Sequence, residues 1–223
     1  MSQFRSFVAG KGGPAADPGR RLRLVSAAED AADDSRLVRA LLEGEAWAAT
    51  ATWNRYGPMV SRLFSRALGP ISECDDLLQD VFLSVFTAVR SLRDPNALRS
   101  FVYTCAVRRL RSHLRVKRLR SIFPLFSPDE LPDSPVAGAD MDGRQVMRRF
   151  YRVLDGLAAD DRTAYTLRYL EGLSLTEIGA ATGVSIATVK RRVSRAVEAV
   201  AARAQEDPLL ADYLVSDGEP DGD

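Results

Sequence analysis

The sequence predicts an all-α protein of two small helical domains joined by a tether. Three observations predict it. Apolar residues recur at three- and four-residue steps through residues 34–116 and again from residue 144, the period of helices with one buried face. No stretch shows the two-residue alternation of a half-buried strand. Residues 121–143, SIFPLFSPDELPDSPVAGADMDG, break the periodicity with four prolines, several acids and no base, the composition of a linker. The expected organisation is a disordered basic arm over residues 1–28, a helical domain over 29–120, the linker over 121–143, a second helical domain over 144–205 and an acidic tail over 206–223. A chain of 223 residues is long enough for two such domains.

In chain order, the glycine-, proline- and arginine-containing start (GKGGPAADPGRRLR) reads as a solvated arm. Asp34 or Ser35 is the expected cap of a helix carrying Leu37, Leu41, Ala48 and Trp53, which Tyr56-Gly57-Pro58 breaks or bends. Met59, Leu63, Phe64 and Leu68 continue the pattern to Gly69-Pro70. Ser72 with Asp75 forms a capping box for the helix DDLLQDVFLSVFTAV, whose expected buried stripe is Leu78, Val81, Phe82, Val85 and Val89. Asp76, Gln79, Asp80 and Leu83 lie on its other side, a leucine among acids. After the loop Arg93-Asp94-Pro95-Asn96 comes a long helix, LRSFVYTCAVRRLRSHLRVKR. Its Arg108, Arg111, Arg115 and Arg118 are spaced three, four and three residues apart, one cationic face beside Tyr103, Val107, Leu110 and Leu114.

Beyond the linker, Val146, Phe150, Val153, Leu154 and Leu157 form a stripe, and Asp160 is the expected cap of a helix running through Leu167 to Gly172. The most informative stretch follows: LSLTEIGAATGVSIATVKRRVSR, residues 173–195. Ser174 and Glu177 make a capping box, Gly183 can take the left-handed conformation that ends a helix, and Ser185 caps the next one. Ile186, Val189, Val193 and Val197 are the expected buried stripe of that second helix, leaving Lys190, Arg191, Ser194 and Arg195 outside. Two capped helices around a glycine turn, the second armed with cations, are the build of a helix-turn-helix that enters the DNA major groove.

Formal net charge is only +1, but the charge is segregated. Residues 90–120 hold ten cations and one acid, whereas residues 205–223 hold seven acids and no base. The cysteines, Cys74 and Cys105, have neither disulfide-framework nor metal spacing and read as reduced thiols. No apolar run approaches a membrane span and no signal peptide is read, so the expected location is cytoplasmic. His113 is the only histidine and stands among Arg111, Ser112 and Arg115. A triad or metal site is therefore not expected, and the chain reads as a binding protein without cofactor rather than an enzyme.

These residues resemble the extracytoplasmic-function (ECF) group of bacterial RNA polymerase sigma factors, of the sigma-70 family. The resemblance covers about residues 33–118 and 144–204. It rests on DDLLQDVFLSVF, on LAADDRTAYTLRY followed by LEGLSLTEIGAATGVSIATVKRRVSRA, and on their order across an acidic linker. It implies a region 2-like domain before the linker and a region 4-like domain after it. It implies that Asp76, Gln79, Asp80 and Leu83 meet the polymerase clamp. Asn96, Arg99, Phe101, Tyr103, Arg108, Arg109, Arg111 and Arg115 would open the −10 element and hold a flipped base. Thr188, Lys190, Arg191, Ser194 and Arg195 would contact the −35 element, with Arg191 able to clamp a guanine. Leu167 and Leu170 would stand where the polymerase flap is met, although burial in the domain core is the rival account of both.

The family commonly has an aromatic at the position of Leu98, tryptophan at Phe101, asparagine at Arg109 and serine at Arg191. The implied function is promoter recognition for core RNA polymerase, with promoter DNA as the second partner and an anti-sigma factor as a further one. The alternatives are a stand-alone helix-turn-helix regulator, and a degenerate sigma-like interaction module that starts no transcription. The acidic tail is a candidate for folding back on a basic DNA-binding face.

Overall fold

The computed structural model describes residues 22–69, 73–122 and 141–211, and among them there are helices, turns and no strand. The expectations for residues 1–21, Ser72, most of the linker and the tail beyond residue 211 fall outside the described residues. The helices are α1 (Leu22–Glu43), α2 (Ala46–Leu68), α3 (Cys74–Ala88), α4 (Leu98–Ile122), α5 (Met141–Asp155), α6 (Ala159–Tyr165), α7 (Leu175–Thr182) and α8 (Ile186–Glu206). Two 3-10 turns, Val89–Ser91 and Pro95–Ala97, lie between α3 and α4. The chain divides into two compact units, the first reaching Phe64 and resuming over Glu73–Leu110, the second made of Ser65–Ser72 and everything from Arg111.

In the first unit, α1 begins at Leu22, well before the expected cap. Asp34 is not a cap but a buried mid-helix carboxylate that accepts from the Tyr56 hydroxyl and from Arg55 Nε at 3.3 Å. Burial pushes the Tyr56 phenol up, and its hydrogen bond to Asp34 and that carboxylate's charge add to the shift. The break between α1 and α2 also falls earlier than expected, at Gly44, whose φ of +77° suits a residue without a Cβ. Pro58 sits inside α2 instead of ending it. Pro58 and Asn54 are both exposed, so water can meet the Asn54 carbonyl that loses its helical donor.

The first unit's core gathers Val60, Leu63 and Phe64 of α2, Val81 and Phe82 of α3, and Val102 of α4. The rings of Trp53 and Phe82 stand 4.7 Å apart. On α3 the buried stripe is Leu77, Val81, Phe82 and Val85, so Leu77 takes the place expected of Leu78. Glu73 is the N-cap and makes no side-chain cap bond; Asp75 and Asp76 in the first turn complement the helix dipole instead.

In the second unit, Phe150, Leu154, Leu157, Ala196, Val200 and Leu210 form the core. Leu210 extends that core past the end of α8, and Asp207 beside it pairs with Arg149 at 2.8 Å. Arg162 is 2% exposed; its Nε and Nη2 donate to the Ala67 carbonyl at 3.0 and 2.8 Å, and its Nη1 donates to Asp155. Tyr151 donates its hydroxyl to the Ser65 carbonyl at 3.1 Å. Arg162 thus satisfies a carbonyl of the last turn of α2, and Tyr151 adds a second donor to the Ser65 carbonyl, which also accepts from Gly69 N at 3.0 Å. Helix α6 starts after an Ala158 N-cap, not at an Asp160 cap, and continues as a π-helical turn over Thr166–Leu170.

Candidate nucleic-acid and polymerase interface

The helix-turn-helix is built as its sequence prescribes. The Ser174 hydroxyl accepts from Glu177 N at 3.2 Å, and Glu177 accepts from Ser174 N at 2.7 Å. Hydrogen bonding to the carboxylate from Ser174, its side chain first and its backbone N–H second, holds the Glu177 carboxyl below the usual range. Gly183 ends α7 with φ +71° and ψ +29°, and its N–H and that of Val184 both reach the Gly179 carbonyl. Ser185 Oγ accepts from Thr188 N at 3.3 Å and lies 3.0 Å from the Thr188 hydroxyl. Ile178, Ala181, Val189 and Val193 are buried and fix the angle between the two helices.

Lys190, Arg191 and Ser194 are exposed on α8, as expected. Arg195 is also exposed but donates to Asp161 at 2.7 Å, which raises the arginine's pKa further. Ile186 departs from the expected stripe: it is 45% exposed. It has the right spacing for the stripe but stands at the first position of α8, directly after the cap.

The cations of α4 are placed in two different settings. In the first unit, Arg99 and Arg108 are exposed, Phe101 and Tyr103 are half-buried, and Arg109 pairs with Asp80 of α3. A candidate DNA contact thus neutralises a candidate polymerase contact. Asn96 is exposed, its side-chain oxygen accepting from the Ser35 hydroxyl at 2.6 Å, while Asp94 caps its turn. Leu98 is fully buried, so leucine stands there as a core residue and not as a surface for a base.

In the second unit, Arg111 and Arg115 converge on Asp160 with Arg192 of α8, at 2.9, 3.1 and 2.7 Å. Arg111 also donates to the Thr182 carbonyl at 3.0 Å. Burial penalises the Asp160 carboxylate, but the Arg111 hydrogen bond and the charges of Arg111, Arg192 and Arg115 outweigh that and hold its pKa below the usual value. Sequence reasoning missed this cluster. The Asp160-Asp161 doublet was the visible signal, and its place near a helix start disguised it as a cap.

On α3, Asp76 and Gln79 are exposed and Asp80 is half-exposed, while Leu83 is 62% exposed. The four lie opposite the buried stripe, as the spacing predicts. Leu167 is buried and Leu170 half-buried, in keeping with the packing account of both. Cys74 is half-buried and Cys105 buried, and neither is in a disulfide. Among the described residues no group of three or more His, Cys, Asp or Glu could hold a metal ion, and no helix is long and apolar enough to cross a membrane.

Comparison with known proteins bears on these faces. The family model described as Sigma-70 region 2 matches residues 52–120, and that described as Sigma-70, region 4 matches residues 147–200. The chain is 28% identical over 186 residues to the ECF RNA polymerase sigma-E factor of Escherichia coli K12, covering 79% of this chain and 96% of that protein. It is 32% identical over 140 residues to the ferric citrate uptake sigma factor FecI of the same organism, covering 60% of this chain and 78% of FecI. Its fold is similar to that of the sigma factor RpoE from Bartonella quintana, solved in complex with the anti-sigma factor NepR. There the TM-score is 0.54 and the identity 21%, over 71% of this chain and 97% of that one.

Proposed function

The chain belongs to the ECF group of the sigma-70 family, and from that premise we propose how its own residues carry out the work of a sigma factor. As a sigma factor it binds core RNA polymerase and directs it to promoter DNA; RNA synthesis itself is the work of the core. The observation that carries the residue assignment is the doubly capped helix-turn-helix with Lys190, Arg191 and Ser194 facing outward on its second helix.

On this reading α8 enters the major groove of the −35 element. Arg191 clamps a guanine through O6 and N7, and Lys190 and Ser194 hold phosphates or base edges. Thr188 serves the helix start, its hydroxyl being engaged with Ser185. Arg195 takes a phosphate in exchange for Asp161. At the −10 element, Arg99 and Arg108 draw the strand in, Phe101 and Tyr103 offer surfaces for an unstacked base, and Asn96 offers a polar edge. Arg109, Arg111 and Arg115 join them when phosphates compete with Asp80 and Asp160 for their guanidinium groups. Asp76, Gln79, Asp80 and Leu83 form the polymerase-facing side of α3. An anti-sigma factor is a further candidate partner.

The test is run-off transcription with core polymerase and a genomic promoter library, with and without this chain. Chain-dependent transcripts should share two spaced upstream elements, the −35 one containing a guanine whose importance is lost in Arg191→Ala. Core binding without transcripts would support a degenerate interaction module instead. DNA binding without core binding would support a stand-alone regulator.

A further inference from the structure

Ile186 is the one residue of the expected α8 stripe that the fold leaves exposed. It is 45% exposed, against 1% for Val189 and 9% for Val193. It opens the helix, one residue after the Ser185 cap. Ala187 beside it is exposed too, and Lys190 and Arg191, each four residues further on, are exposed on the same side. An apolar pair therefore stands at the N-terminal tip of the recognition helix, with cations one turn behind it.

The first turn of a recognition helix reaches deepest toward the base edges, while the cations behind it find phosphates and guanines. The major groove offers one methyl group to such a side chain, at C5 of thymine, among edges dominated by donors and acceptors. An isoleucine pressed on those polar edges would strip their water and return no hydrogen bond. Resting on the promoter-binding reading above, we propose that Ile186 is a specificity-determining residue that packs on a thymine methyl in the −35 element.

Deoxyuridine differs from thymidine only by that methyl, which makes the contact separable from every phosphate and hydrogen bond. Each thymine of the −35 element, on either strand, is replaced in turn by deoxyuridine in a promoter fragment. Affinity is then measured for the holoenzyme assembled with wild-type chain, Ile186→Val and Ile186→Ala. One position should weaken wild-type binding roughly three- to fivefold, the scale of one buried methyl group. Ile186→Ala should bind thymine and deoxyuridine there equally, and Ile186→Val should fall between. An undiminished penalty in Ile186→Ala, or no sensitive thymine at all, would overturn the assignment. So would a loss in Ile186→Ala that is equal on promoters with and without thymine at that position, because that would place the side chain against protein. A wild-type holoenzyme with no preference for promoter over scrambled duplex would instead sink the promoter reading itself, and this assignment with it.

Discussion

Asp160 shows what a single carboxylate can organise. Arg111, Arg115 and Arg192 all reach it, and the side chains of Arg111 and Arg192 are themselves only 17% and 16% exposed. Asp160→Asn would leave these guanidinium groups with a weaker, neutral acceptor. Hydrogen bonds to charged groups contribute about 1.5–3 kcal/mol each; with solvent screening at this partly exposed site, a net loss of about 1–2 kcal/mol is expected at pH 7. The pH dependence has a definite sign. The folded-state pKa of Asp160 is depressed, so its contribution is complete above the ordinary carboxylate pKa of about 4 and is lost as pH falls through the lower folded value. Urea unfolding of wild type and Asp160→Asn should differ by a constant amount from neutral pH down to about pH 5, with the two converging in stronger acid. A gap that persists unchanged at pH 2 would show that the variant loses packing and not charge. None of this was legible in the sequence, because Arg111 lies 49 residues upstream of Asp160 and only the fold brings them together.

At the scale of the element, α3 has a buried side and an exposed side, and the proposed polymerase contact lies on the second. Phe82 is buried and packs on Trp53, whereas its neighbour Leu83 is exposed. Phe82→Ala should destabilise the protein by about 3–5 kcal/mol, since it opens a cavity in a packed core. Leu83→Ala should leave thermal stability within about 0.5 kcal/mol while weakening assembly with core polymerase severalfold. Thermal unfolding and a core-binding titration read the two effects separately. Unaltered core affinity in Leu83→Ala would remove that residue from the polymerase-facing side. Elements with strong local signals were readable in advance: the Ser174–Glu177 box, the Gly183 stop and the Ser185 cap all stand where their spacing places them. Others were not, for physical reasons. Periodicity alone could not choose between the adjacent Leu77 and Leu78, and Ile186 fits the stripe's spacing but stands exposed at the very start of its helix. Pro58 looked like a break because its missing N–H is visible in sequence, whereas the exposed setting that tolerates it is not.

Across the whole molecule, a formal charge of +1 conceals opposed segments. Ten cations lie in residues 90–120, and five acids with no base lie in residues 212–223. A short acidic segment tethered to a cationic protein acts as a local competitor for phosphates, and salt screens that competition within about 10 Å at 0.1 M. Where the chain is cut decides what an experiment on this tail measures. Leu210 is buried in the second unit's core and Asp207 pairs with Arg149, so removing residues 206–223 would damage the fold as well as the charge. Truncation after Ala211 keeps that packed turn and removes the five acids together with Tyr213, Leu214 and Val215. It should raise promoter affinity at 50 mM salt by several fold and leave it unchanged near 300 mM, with thermal stability preserved. Fluorescence anisotropy on labelled promoter duplex at the two salt concentrations checks it. An equal gain at both would point to a steric block, and no gain at low salt would make the tail a bystander to DNA binding. Either way the salt dependence of the truncated chain then tests the phosphate contacts proposed for the arginines of α4 and α8.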